Sequence, residues 1–180
     1  MPERYVEVPP QNVRIAWNEI IRQTVENRLV RGSIRGIKVD ESEKPLPGAV
    51  FGLFAEGTTE FLENAAFAVV ESSEDGSFSF ENIPYGMWLV REMKAPAGYV
   101  LSDEIFEVQI TENSSVIELG NLENKPVTGK LELTKLDVST GKPLPNAGFR
   151  IKDADGNVMI EGYTDEHGIA RFTLGYGEYT

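Results

Sequence analysis

Lys38 stands on a strand face that a charged residue should avoid. Ile34, Gly36 and Lys38 share one side of a period-2 strand, so the amine points the same way as its apolar neighbours. Glu92 repeats the anomaly, because Trp88, Val90 and Glu92 lie on one face of residues 87–92. Leu122 and Asn124 share a face at the end of a third run, Val116–Asn124. In a sandwich whose first and last strands run side by side, Lys38 and Asn124 face each other with the acid over them. Burial favours the neutral forms of an amine and an acid, so such a cluster could exchange protons instead of holding fixed charges. Two plainer readings stand beside that one: a snorkelled lysine stem with its ammonium at the sheet edge, or an ion pair with a buried acid.

The elements that must position these residues recur along the chain. NRLVRGSIRGIKVD, from Asn27 to Asp40, returns as NKPVTGKLELTKLD from Asn124 to Asp137, and KPLPGAVF at 44–51 returns as KPLPNAGF at 142–149. The copies lie about a hundred residues apart, too long for a solenoid period and right for a small whole domain. The second copy gains one residue in a turn, where insertions are tolerated. Three segments follow: residues 1–30 as the C-terminal strands of a preceding repeat, 31–125 as a complete domain, and 126–180 as the N-terminal part of a following one. Asn27 is then the counterpart of Asn124, and Lys135 that of Lys38.

Short strands are expected at residues 5–8, 13–17 and 20–25, with Val13, Ile15 and Trp17 over Phe106, Val108 and Ile110, and Pro2 over Pro96. In the middle domain, strands are expected from Ile34 to Lys38, then at 49–54, 65–70, 77–80, 87–92, 106–110 and 116–124. Gly, Pro, Asp and Asn turns separate them, and no convincing helical period appears. The fold class is all-β: tandem antiparallel β-sandwich domains of immunoglobulin-like or prealbumin-like type.

The order GxIxxxKxD, KPLPGAxF, YGxWxVxExxAPxGY and then xNxxN resembles the collagen-adhesin B-type repeat, the SpaA-like prealbumin fold of Gram-positive surface adhesins and pilins. The string from Glu92 to Tyr99 is the most specific part, since acid, turn and aromatic fall at fixed spacing. The resemblance implies a self-formed amide between Lys38 and Asn124, assisted by Glu92. It also implies an extracellular, cell-wall-attached structural repeat whose partners are neighbouring repeats of the same protein. A neutral Glu92 would hydrogen-bond the Asn124 carbonyl and pass a proton to the departing ammonia. Two departures are Gly36, where an apolar neighbour of the lysine is usual, and Trp88, where Tyr is commoner. The first should loosen the packing around Lys38.

Composition sets the outer limits. With 41% hydrophobic and 26% charged residues, each complete unit should bury a core. A net charge of −12 argues against nucleic acid and anionic membrane partners. No cysteine is present, no apolar run approaches a membrane span, and the first residues have no signal-peptide pattern, so secretion or anchoring signals are expected outside this chain. Asp153 to Asn157 resembles a calcium loop but has Val158 where Gly belongs and Thr164 where an acid belongs, so a hairpin turn is expected. The single His167 precedes a turn glycine. No metal, cofactor or multiple-turnover catalysis is expected. The competing function is a binding module whose loops, residues 56–64 above all, touch a host extracellular-matrix protein or a polysaccharide.

Overall fold

A computed structural model of the chain describes residues 4–180. It forms two units, one holding the residues up to Pro96 together with Leu101–Asn124, the other Ala97–Val100 with Lys125–Thr180. The match of Pro2 to Pro96 lies outside the described residues.

The first unit is a two-layer sandwich built as the period-2 pattern demands. Its strands are β1 (Arg31–Asp40), β2 (Val50–Ala55), β3 (Ala68–Glu71), β4 (Ser77–Pro84), β5 (Gly86–Lys94), β6 (Ile105–Ile110) and β7 (Val116–Asn124). One sheet has the order β4-β1-β7 and the other β3-β2-β5-β6. Every pair is antiparallel except β1 with β7, which is parallel and sets Lys38 opposite Leu122 and Asp40 opposite Asn124. That pair is the side-by-side arrangement of first and last strands, and its parallel direction departs from the wholly antiparallel expectation. Inward residues of both sheets, including Ile34, Phe51, Leu53, Phe80, Val90, Val108, Ile110 and Leu122, form one core. A 3-10 turn at Glu63–Ala65 lies between β2 and β3.

Gly36 does not loosen this core. A Cβ there would meet the Phe78 ring at 2.6 Å and Leu122 at 3.2 Å, so Phe78 already occupies the space an apolar side chain would fill. Phe78 in turn stacks on Phe51 with ring centroids 4.0 Å apart. Trp88 is buried, and its indole N–H donates to the Pro84 carbonyl at 2.9 Å, which satisfies the extra polar atom that Trp brings.

The three short strands expected before residue 26 do not form. Tyr5 and Leu29 make an isolated antiparallel bridge, and residues 6–28 carry no strand. The reason is partnership: their counterparts β6 and β7 pair with β5 and β1, and in the first unit both edges of β5 and of β1 are already taken. Ile15, Trp17 and Ile20 are consequently about four-fifths exposed or more.

The second unit contains β8 (Thr128–Thr134), β9 (Gly148–Lys152), β10 (Val158–Tyr163) and β11 (Ile169–Gly175). β8 pairs with β11, and β9 with β10. Ile151, Ala170 and Phe172 are its buried centre, flanked by Leu131, Leu133, Phe149, Leu174 and Tyr179. Residues 153–157 form the β9–β10 hairpin turn, with the Asp153 carboxylate accepting the N–H groups of Asp155 and Asn157.

Candidate functional site

Lys38, Glu92 and Asn124 converge in the core of the first unit, exposed by 1%, 2% and 2%. Lys38 comes from β1 and Asn124 from β7 of the same sheet, while Glu92 reaches across from β5 of the facing sheet, where it is paired with Phe51. Asn124 donates both to Glu92 Oε1 at 2.8 Å and to Oε2 at 3.0 Å through its Nδ2. Lys38 Nζ lies 3.8 Å from Oε1. The Ser102 backbone N–H donates to Oε2 at 2.8 Å. The carboxyl group thus has the amine on one oxygen and a main-chain anchor on the other, with the side-chain amide spanning both.

Electrostatics in this enclosure disfavour the ammonium. Desolvation pushes the Lys38 amine below the usual lysine range, against the opposing charges of Glu92, Glu104 and Glu123. Beside the amine is a void of about 10 Å³, lined by Lys38, Phe51, Glu92, Ser102, Glu104 and Glu123 among others. Its size is on the order of one water.

One detail differs from the sequence-based mechanism. Glu92 contacts the nitrogen of the Asn124 amide, and the carbonyl Oδ1 is buried without a hydrogen-bond partner among the described residues. The carboxyl therefore faces the atom that would leave as ammonia, not the oxygen it was expected to polarise.

The backbone around Lys38 is fixed at both polar groups. Its N–H donates to the Gly76 carbonyl at 2.8 Å, and its own carbonyl accepts from Leu46 N–H at 2.9 Å. Gly76 has φ +75°, and a Cβ there would collide with the Lys38 carbonyl oxygen, so the turn requires glycine. A buried hydroxyl ties the next turn: Ser72 Oγ donates to the Leu46 carbonyl at 2.8 Å and accepts from Ala49 N–H at 3.0 Å.

The sequence reading overlooked Ser72, Ser102, Glu104 and Glu123. A signal existed for the first, because Ser72 and Thr164 each stand four residues before a turn glycine in the two copies. Ser102 acts through its main chain, which side-chain identity does not reveal. The counterparts of the triad are not assembled. Asn27 and Lys135 are both exposed, and β8 ends one residue before Lys135. His167 lies in the β10–β11 turn, its N–H donating to Asp165 Oδ1 at 2.9 Å. No helix among the described residues is long and apolar enough to cross a membrane.

Comparison with known proteins places this geometry in context. The family model of the SpaA prealbumin-like fold domain matches residues 32–125 and again 129–180. Among solved structures, the Bacillus anthracis TIE protein is 37% identical with a TM-score of 0.74, over 86% of this chain and 28% of that one. The chain thus spans little more than a quarter of that relative. A streptococcal ancillary pilin is 18% identical, covering 93% of this chain and 58% of its own, with a TM-score of 0.47. BcpA, the major pilin subunit of Bacillus cereus, is 16% identical over 83% of this chain and 86% of its own, with a TM-score of 0.45. A search of curated proteins found no match.

Proposed function

The chain belongs to the SpaA prealbumin-like fold domain family, and from that premise we propose that it is a structural repeat in the stalk of a Gram-positive cell-surface adhesin or pilin, cross-linked by an amide between Lys38 and Asn124. Residues 1–30 and 126–180 are, on this reading, parts of the repeats on either side of 31–125. The observation that carries the proposal is a buried amine and a buried carboxamide sharing one carboxyl group.

The chemistry follows from these positions. A proton moving from Lys38 to Glu92 turns an ion pair into a neutral amine and acid, a change that a desolvated site favours. The amine lone pair then attacks Asn124 Cγ. Glu92 delivers a proton to Nδ2, the C–N bond breaks and one ammonia departs, and the carboxylate left on Glu92 takes the surplus proton from the attacking nitrogen as the new amide forms. Folding supplies proximity equivalent to effective molarities on the order of 10⁵ M or more, which is why the reaction needs no second molecule. It occurs once per domain, so the chain is its own substrate and not a turnover enzyme.

The benefit is mechanical. A tie between the first and last strands carries tension through a covalent bond in place of the β1–β7 hydrogen bonds. By analogy with disulfides, closing roughly 86 residues of chain stabilises by about 4 to 5 kcal/mol. Intact-mass spectrometry tests the reading: the purified chain should weigh one ammonia less than its sequence, and Lys38→Ala or Glu92→Ala should restore the full expected mass. A full mass in the unaltered chain overturns it.

A further inference from the structure

Lys38, Glu92 and Asn124 are all buried, yet the site borders water at one place. The two sheets of the first unit end in β6 and β7, each the outermost strand of its own order. The void beside Lys38 lies where these edges meet, since Glu104 and Phe106 line it from the β6 side and Leu122 and Glu123 from β7. Lys38 and Glu92 form its buried wall, whereas Glu104 and Glu123 are exposed. Two solvated acids therefore border the same space as a desolvated amine. We propose that this seam is where the site exchanges protons with water, and that Glu104 and Glu123 are positioning residues acting through Lys38, their charges fixing the pH at which the buried amine and carboxyl group share a single proton.

The fold holds both acids at this seam. Glu123 sits on β7 between Leu122 and Asn124 and stands opposite Val39, the residue after Lys38, in the parallel pairing with β1. Glu104 is tied to the buried carboxyl group by one short turn: its N–H donates to Ser102 Oγ at 3.3 Å, and Ser102 N–H donates to Glu92 Oε2 at 2.8 Å. The charged groups facing the amine are thus Glu92 from β5, Glu104 from the turn before β6 and Glu123 from β7, and all three oppose the desolvation that disfavours the ammonium. Coulomb attraction of this kind acts over several ångströms, and salt screens it where the charges are solvated.

The consequence concerns when the amide forms. With two protons on the pair the amine stays an ammonium, and with none the carboxyl group has no proton for the leaving nitrogen. Only the pair that holds one proton reacts, and such coupled groups titrate as a unit. Negative charge at the rim strengthens the pair's hold on both protons, which moves the reactive window toward higher pH. This consequence rests on the Lys38–Asn124 reaction proposed above; the effect on the Lys38 amine does not, and the two are read separately.

The test begins in Asn124→Ala, where no amide can form and Lys38 keeps a free amine. Carbon-13 lysine NMR follows its titration, the signal being assigned by its loss in Asn124→Ala/Lys38→Met. Adding Glu104→Gln and Glu123→Gln should lower the midpoint by about one pH unit. Glu107→Gln with Glu118→Gln removes the same charge from exposed positions of β6 and β7 that do not line the void, and should shift it by less than about a third as much. Salt at about 1 M should shrink the difference between the two pairs. With Asn124 in place, the pH profile of ammonia loss during refolding, read by intact mass, should move to lower pH in the Glu104/Glu123 pair and stay put in the other. Equal midpoints for the two pairs overturn the proposal, as does an unmoved profile in a chain that does lose ammonia. A full mass in the unaltered chain removes the amide reading instead, and the Lys38 midpoints then decide this one.

Discussion

The two units hold their lysines in the same backbone grip and yet give them opposite surroundings. Lys38 N–H donates to Gly76 and Lys135 N–H to Gly168, both at 2.8 Å, and the two carbonyls accept from Leu46 and Leu144 at 2.9 Å. Ser72 and Thr164 make the same hydroxyl clasp, Thr164 Oγ1 donating to Leu144 at 2.7 Å and accepting from Ala147 N–H at 2.8 Å. Even so, Lys38 is 1% exposed and Lys135 is exposed. The early strands and their turns therefore set where the amine starts. The late strands, β5 with Glu92 and β7 with Asn124, bring a carboxyl group to the first amine and a carboxamide to that carboxyl group.

Removing the late-strand partners should break this contrast most strongly. Asn124→Ala removes one end of the proposed tie, and the first unit should lose about 4 to 5 kcal/mol in denaturant unfolding. Its Lys38 then titrates. Because the folded-state pKa is depressed, the unfolded chain binds more protons, and stability should rise with pH from the folded pKa up to the usual lysine value of 10.5. Below that window the cost of burying the ammonium is felt in full. An Asn124→Ala/Lys38→Met double variant should lack the rise, which checks its origin.

The shared framework gives the next largest effects. Gly76→Ala and Gly168→Ala each place a Cβ against a lysine carbonyl, at 2.7 Å in the second case, at φ of +75° and +71°. Each should cost about 1 to 3 kcal/mol in its own unit. Gly76→Ala alone should also slow the loss of ammonia, measured by intact mass during refolding. Ser72→Ala leaves the Ala49 N–H and the Leu46 carbonyl without the hydroxyl and should cost about 1 to 2 kcal/mol, with Thr164→Val similar or smaller. Lys135→Ala is expected to change thermal stability by no more than about 0.5 kcal/mol, the usual effect at an exposed position. A large loss there would mean that the two lysines are more alike than their surroundings show.

Much of the first unit was legible because period-2 alternation is a direct consequence of burying one strand face. The run 116–124 is β7 residue for residue, and 106–110 falls one residue short of β6. Lys38, Glu92 and Asn124 were visible for the same reason, as polar residues on apolar faces. Residues 5–25 show where that reasoning stops. Their alternation reads as strand, but alternation records a preference for a sheet and does not supply the neighbour. The amide orientation at Asn124 was also out of reach, since which atom faces Glu92 depends on the depth of β5 against β7. Gly36 misled in the opposite sense: the missing side chain is replaced by Phe78, forty-odd positions away in sequence, through the β1–β4 pairing.

Peptide mapping reaches the central claim most directly. Proteolysis of the unfolded chain, followed by tandem mass spectrometry, should yield a branched peptide in which the β1 fragment bearing Lys38 is joined through its side chain to the β7 fragment bearing Asn124, with one ammonia missing. Recovery of the two fragments only as separate linear peptides, each at its full sequence mass, would contradict the account.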